Sequence, residues 1–159
     1  MSNSPPSIVI LPMADPLSIA ASVAGLLSLA VQTSQLITSV VSEVKGRQAG
    51  LVSIGQEVTS FYLVLHDLES QLSRSSNVAA TANYRNTEGL NTLMTGCKRT
   101  LQSIQDLLSQ IRDGYTKGGL SKVQAQFTYS SKMKSLEGLR GLLDKYKATL
   151  SIALLVQTV

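Results

Sequence analysis

The pattern of apolar and polar positions divides the chain into four segments, and the first is apolar on every side. Between Asp15 and Glu43 there is no charged residue, and eleven of the fifteen positions from Leu17 to Val31 are apolar. Asp15 is suited to accept backbone N–H bonds as an N-cap, and Pro16 suits the first position of a helix. We therefore predict a helix that begins near Pro16 and must be covered, either by other helices or by lipid.

The second and third segments each show one apolar stripe in which residues recur at alternating intervals of three and four. In the second segment the stripe consists of Leu51, Ile54, Val58, Phe61, Leu65, Leu68 and Leu72. In the third segment it consists of Leu90, Met94, Cys97, Leu101, Ile104, Leu108 and Ile111. This spacing is typical of helices that pack side by side in a bundle. We expect a loop over 73–86 between the two helices, and we expect the third helix to end at Asp113 and Gly114.

The last segment predicts one more long helix, which starts near Ser130 or Ser131 after a short helical or irregular piece over 121–127. Its apolar stripe consists of Met133, Leu136, Leu139 or Arg140, Leu143, Tyr146 and Leu150. Gly138 and Gly141 weaken such a helix, and they indicate either a close contact with another helix or a bend. Arg140 and Asp144 are four residues apart and are expected to pair.

Together these segments predict an all-α fold, an antiparallel helical bundle of four main helices with the apolar N-terminal helix at its centre. The other three helices would enclose the first. At 159 residues without tryptophan, the chain is long enough for one domain whose core is built from aliphatic side chains. We place this domain at residues 13–159, and we expect residues 1–12, which contain three prolines, to form a disordered extension.

Residue types that perform catalysis or bind metals are scarce. The single cysteine, Cys97, lies within an apolar stripe and is expected to be a buried hydrophobic residue. The single histidine, His66, lies beside the stripe of the second helix and is expected on its outside. The glycines of the TKGGLS turn at 116–121 lack the frame of a phosphate-binding loop. We therefore predict a protein that is not an enzyme and has no cofactor, metal site or small-molecule substrate.

Positive charge is concentrated in the second half of the chain. Residues 1–80 carry three bases and five acids, whereas residues 81–159 carry eleven bases and five acids. Such a surface suits phospholipid head groups or nucleic acid, although a solvated lysine face is the simpler explanation. Nucleic acid is the weaker hypothesis because the chain contains no recognised nucleic-acid-binding motif. The candidate lipid head-group contacts are five bases of that helix: Lys132, Lys134, Arg140, Lys145 and Lys147.

Two stretches resemble a known family. MADPLSIAASVAGLLSLAVQTSQLITSVVSEVKG at 13–46 and KYKATLSIAL at 145–154 are similar to the HeLo-like domain, the fungal N-terminal domain of STAND proteins. This domain is also named after the N-terminal region of an azaphilone pigment cluster protein. The resemblance spans residues 13–159 and implies a bundle related to the HeLo domain of fungal incompatibility proteins. It also implies similarity to the four-helix bundle of mixed-lineage kinase-like pseudokinases.

The resemblance further implies a function. In full-length relatives the domain lies upstream of a STAND, ankyrin-repeat or amyloid-signalling region, and on oligomerisation it is thought to release its first helix into the plasma membrane and kill the cell. The insertion residues carried over by position are Leu17, Ile19, Val23, Leu26, Leu27 and Leu29. We therefore expect a cytoplasmic, self-associating module that is conditionally recruited to anionic plasma membrane. The alternative is a protein-interaction scaffold that does not touch lipid.

Overall fold

Helices account for almost all of the chain that the computed structural model describes, which comprises residues 16–44, 48–75, 87–116 and 122–158. The helices are α1 (Pro16–Glu43), α2 (Ala49–Ser75), α3 (Thr87–Thr116) and α4 (Lys122–Thr158). No strand occurs within these ranges. The predicted fold class, an all-α bundle of four helices in which an apolar N-terminal helix packs against the others, is confirmed.

The predicted apolar stripes of α2 and α3 form the core. All seven predicted positions in each helix are buried. In α4, Leu136, Leu143 and Leu150 are buried, while the other predicted positions are only partly buried. Because full burial of one such aliphatic side chain stabilises a fold by about 1.5–3 kcal/mol, these stripes provide most of the driving force for packing.

The first helix also has a regular stripe, which its sequence conceals. Its eight buried positions, counting the residue after the helix, alternate at intervals of four and three: Ile19, Val23, Leu26, Ala30, Thr33, Ile37, Val40 and Val44. Ala30 is small, Thr33 is polar, and further apolar residues occupy the other sides of the helix. The periodicity is therefore invisible to a search for apolar residues alone.

Consecutive helices run in opposite directions, yet helices that are neighbours in space include parallel pairs. α1 packs on α2 and α3, and α4 packs on the same two helices, so α1 and α4 lie diagonally across the bundle. α1 and α3 are parallel, because Ser22 lines the same groove as Asn91 while Thr33, farther along, bonds to Gln105.

α2 and α4 form the second parallel pair. The Cε of Met133 lies where a side chain on Gly50 would begin, and Lys147 bonds to Ser60, so residue numbers rise in the same direction along both helices. α2 and α3, although consecutive, therefore lie diagonally to one another. Four helices in this order present two parallel and two antiparallel contacts.

Two helices rather than three flank α1. The sequence led us to expect enclosure by all three because the apolar residues of α1 point in every direction. Only 28% of its most apolar stretch is buried, since α4 lies across the bundle. The exposed positions between Ile19 and Ala30 are small or polar, which explains how this side tolerates water: Ala21, Ala24, Gly25 and Ser28.

The last helix is continuous over 37 residues. The predicted short piece over 121–127 is helical from Lys122 onward, as one of its two alternatives had it, but the predicted separate start of the last helix near Ser130 is wrong. No proline or glycine occurs in α4 before Gly138. Tyr129 is buried, and its ring meets that of Tyr115 edge-to-face at a centroid distance of 6.2 Å. Tertiary packing therefore extends the helix through the serines, which have only moderate helix propensity.

Gly138 and Gly141 are not the glycines at which helices approach each other closely. A Cβ added at Gly138 or Gly141 would meet no atom within 4 Å, so neither permits the close helix contact that we considered. Instead Gly50 faces Met133, and Gly96 faces the ring of Tyr146. The predicted end of α3 is also wrong, since this helix continues to Thr116.

Some predictions concern residues outside the described ranges. These are the N-cap at Asp15, the extension at 1–12, most of the loop at 73–86 and, apart from Thr116, the turn at 116–121.

Candidate functional site

Five of the six predicted insertion residues of α1 contact the core of the folded bundle. Three belong to the buried stripe and are at most 3% exposed: Ile19, Val23 and Leu26. Leu27 and Leu29 are partly buried and pack against the core, and the side chain of Leu17 lies outside the described part of the chain. Insertion of these side chains into lipid would therefore require α1 to separate from α2 and α3.

The opposite side of α1 is exposed and carries no charge before Glu43. Its largest apolar side chain is Val31, which is 42% exposed. Val31 lies at the middle of Ile19–Glu43, a stretch with mean hydropathy 1.4 that is long and apolar enough to cross a membrane. Core helices of soluble proteins and signal sequences share this composition, so the stretch defines a candidate and not yet a membrane span.

One polar contact joins α1 to α3 within the buried stripe. Thr33 is fully buried, and its hydroxyl donates to the carbonyl oxygen of Leu29 at 2.8 Å. Nε2 of Gln105 donates to the same hydroxyl oxygen at 2.9 Å. Because the hydroxyl is satisfied as donor and acceptor, Thr33 is tolerated in the core. The remaining buried positions of the stripe are apolar.

The five candidate head-group bases of α4 do not form one surface. Lys134 and Lys145 are exposed, and Lys132 is partly buried. Arg140 and Lys147 instead turn toward α2, where Nζ of Lys147 lies 2.8 Å from Oε2 of Glu57. Nη1 of Arg140 lies 3.9 Å from the other oxygen of that carboxylate. Two of the five bases are thus engaged within the bundle.

Glu57 is the charged residue that sequence reasoning missed. Only 8% of its side chain is exposed, although it precedes Val58 of the apolar stripe. The available signal was its position beside the stripe, where charged residues pair between neighbouring helices. The Glu57 carboxylate raises the pKa of Lys147 above its ordinary 10.5, by more than partial burial lowers it. Lys147 therefore keeps its charge at neutral pH.

Short-range pairs on α4 complete this cluster. Oε2 of Glu137 lies 3.0 Å from Nε of Arg140, and Oδ1 of Asp144 lies 3.2 Å from Nζ of Lys147. The predicted pair between Arg140 and Asp144 is wrong, because each residue pairs at a spacing of three while both bases turn toward Glu57.

The remaining candidate residues lie as predicted. His66 is exposed on α2, with its ring centroid 6.2 Å from that of Tyr62. Cys97 is buried, and burial raises the pKa of its thiol to about 12, so the reactive thiolate is disfavoured at neutral pH. Within the described ranges, no group of three or more His, Cys, Asp or Glu residues is placed to hold a metal ion.

The fold and this arrangement define a helical module whose N-terminal helix lies at one corner and carries no charge before Glu43. Over residues 14–159 the chain matches the family described as pigment biosynthesis cluster protein PigL N-terminal, and it belongs to that family. This match confirms the resemblance to the N-terminal region of a pigment cluster protein. No curated protein and no solved structure matches the chain.

Proposed function

We propose that this domain is a membrane-targeting module in which α1 leaves the bundle on clustering and enters a lipid bilayer. The observation that carries the proposal is α1 itself. It is uncharged from Pro16 to Ser42, long enough to span a membrane and flanked by only two helices. In water the apolar stripe of α1 is covered only in the packed bundle, whereas in a bilayer lipid would cover the buried and the exposed sides of α1 together.

The bundle is stable against this release in a single copy. Separation of α1 exposes its apolar stripe and the facing surfaces of α2 and α3, and each large aliphatic side chain exposed costs about 1.5–3 kcal/mol. Clustered copies can cover one another's exposed surfaces, so assembly shifts the equilibrium toward release. Gln32, Thr33 and Gln35 in the middle of α1 make lipid insertion only moderately favourable, which suits a conditional event.

The proposal extends to location and partners. The module would be cytoplasmic and self-associating, and the exposed lysines of α4 would favour anionic plasma membrane, at about 1 kcal/mol for each base near the surface. A STAND, ankyrin-repeat or amyloid-signalling region in a longer protein would supply the clustering signal. Permeabilisation of the plasma membrane would then cause cell death.

Two matched arginine substitutions test the proposal. Val31 on α1 and Val52 on α2 are 42% and 45% exposed, so Val31→Arg and Val52→Arg should both fold and melt like wild type. An arginine at the centre of a membrane-spanning helix costs about 2.5–3.5 kcal/mol. We expect the domain, clustered through a fused oligomerising domain, to release dye from anionic vesicles. Val31→Arg should lose most of this leakage, and Val52→Arg should retain it.

Equal leakage by the two variants would exclude α1 as the inserting segment. Absence of leakage by clustered wild type, together with stable oligomers in solution, would instead support the scaffold alternative.

A further inference from the structure

We propose that the intact bundle docks on anionic membranes through an outer stripe of α4, which consists of Val123, Phe127, Lys134, Lys145 and Ile152. This inference rests on the proposed membrane function and deepens it, because it defines the surface of α4 that the folded domain presents to anionic lipid. It adds a second membrane contact on a different helix.

The members of the outer stripe lie along one line of the helix. Phe127, Lys134, Lys145 and Ile152 are separated by 7, 11 and 7 residues. A helix turns by about 100° per residue, so each of the four lies within about 20° of the one before it. Val123 precedes Phe127 by one turn, and all five side chains are exposed.

Large apolar side chains occupy both ends of the stripe. Val123 and Phe127 are each 76% exposed, and Ile152 is 62% exposed. Phe127 and Ile152 are about 37 Å apart along the helix axis. A small pocket on a partner cannot accommodate both ends at once, whereas a bilayer is flat over this distance and accepts an apolar side chain at any point.

The charge of the stripe selects anionic lipid. Lys134 and Lys145 lie between its apolar ends, and long lysine side chains can reach head groups while their stems remain in the interface. The two acids of α4, Glu137 and Asp144, lie on the flank toward α2, where they pair with bases of the same helix. The paired bases partly offset the negative charge of these acids.

Docking through the stripe has a consequence for α1. Because α1 lies diagonally across the bundle from α4, the docked domain holds α1 on the side away from the bilayer. Binding of the folded domain and insertion of α1 are therefore separate steps. A substitution that blocks docking should therefore differ from a substitution that blocks insertion of α1.

Vesicle co-sedimentation of the full chain tests the stripe. With phosphatidylcholine–phosphatidylserine vesicles, Phe127→Ser should weaken binding about tenfold, because serine buries no apolar ring in the membrane interface. The matched control is Leu63→Ser on α2, where the leucine is 58% exposed, and binding should stay within about twofold of wild type.

A charge variant tests the lysines separately. The double variant that combines Lys134→Gln and Lys145→Gln should bind the same vesicles more than tenfold more weakly, because each base contributes about fivefold to the affinity. Binding to pure phosphatidylcholine vesicles should not change. Lys98→Gln, at an exposed lysine of α3, is the matched control and should bind within about twofold of wild type.

Three results would contradict the proposal that the domain docks on membranes through the outer stripe. One is wild-type vesicle binding by Phe127→Ser or by the double lysine variant. Another is an equal loss in Leu63→Ser and Phe127→Ser. The third is that the stripe variants lose self-association but still bind vesicles. The stripe would then be a contact surface for a second copy of the chain. Val31→Arg should bind vesicles normally while failing to permeabilise them, so failure of docking and failure of insertion are distinguishable.

Discussion

At the scale of single residues, two glycines on neighbouring helices have opposite roles. At Gly96 of α3 the space that a side chain would take is filled by Tyr146 of α4, and an added Cβ would lie 2.8 Å from Cζ of its ring. At Gly138 an added Cβ would meet no atom within 4 Å. The first glycine permits packing, whereas the second only weakens its helix.

We therefore expect Gly96→Ala to lower the free energy of unfolding by about 1–2 kcal/mol, because the displaced ring costs more than alanine contributes in helix propensity. Gly138→Ala should raise the free energy of unfolding by up to about 1 kcal/mol. Denaturant titration measures both. Wild-type stability of Gly96→Ala would mean that Tyr146 moves aside without cost.

The Glu57 cluster makes a second prediction at this scale. Glu57→Gln leaves Lys147 and Arg140 without their shared carboxylate in a mostly buried place, and we expect a loss of about 1–3 kcal/mol in unfolding free energy. Glu137→Gln removes a pair in which the acid is 45% exposed, and it should change stability by less than about 0.5 kcal/mol. Equal effects of the two substitutions in denaturant titrations would contradict the assigned role of burial.

The pH range of this contribution follows from the sign of the lysine shift. Because the pKa of Lys147 is raised on folding, its contribution is fully present below the ordinary value of 10.5. It is lost as pH rises through the still higher value in the folded protein. The difference in stability between wild type and Glu57→Gln should therefore be retained at neutral pH, and on the alkaline side it should decline only under strongly alkaline conditions.

At the scale of elements, helix continuity is decided by packing as well as by local preference. The serines at the predicted start of α4 and the paired glycines within it both suggest interruption, yet the helix runs from Lys122 to Thr158. The buried ring of Tyr129 lies just before these serines, and the core residues on either side hold one helical register.

A proline substitution tests this continuity. Ser130→Pro is placed inside α4 and should destabilise the fold by about 3 kcal/mol, because it removes a helical hydrogen bond and clashes with the preceding turn. Val123→Pro lies in the first turn, where amides lack helical partners, and it should cost far less. Similar melting temperatures for the two variants would indicate that α4 is interrupted near Ser130.

At the scale of the whole molecule, the arrangement attaches the four helices unequally. α2 and α4 share apolar contacts and the Glu57 cluster, whereas the buried attachment of α1 combines apolar residues with the Thr33–Gln105 hydrogen bond. α1 packs on α2 and α3 more extensively than α4 does, but the contacts of α4 with α2 and α3 do not involve α1. Under the proposed release of α1, these contacts of α4 would remain.

Native-state hydrogen exchange measures this difference. We expect the central amides of α1 to exchange at a lower free energy of opening than those of α2, because local opening of α1 does not require the other helices to unfold. Exchange of both helices only at the free energy of global unfolding would contradict release of α1 as a separate step.

Sequence patterns predicted the fold class and the core positions of α2 and α3, because a spacing of three and four directly encodes which side of a helix is buried. They also located Cys97 inside and His66 outside. They did not reveal the stripe of α1, since Thr33 interrupts it and apolar residues also occupy the other sides of the helix. Nor did they reveal that Glu57 binds two of the bases that we assigned to lipid.

The sequence by itself therefore determined that the chain forms helices, which sides of α2 and α3 are buried, and that the first helix carries no charge before Glu43, because these properties depend on neighbours within a few turns. Only the tertiary structure decided which helices are adjacent, that α1 is flanked by two of them, and that Arg140 and Lys147 face inward while Lys134 and Lys145 face out. Those outcomes depend on the order of the helices around the bundle. Residues far apart in the chain establish that order through shape and charge complementarity, which no local pattern records.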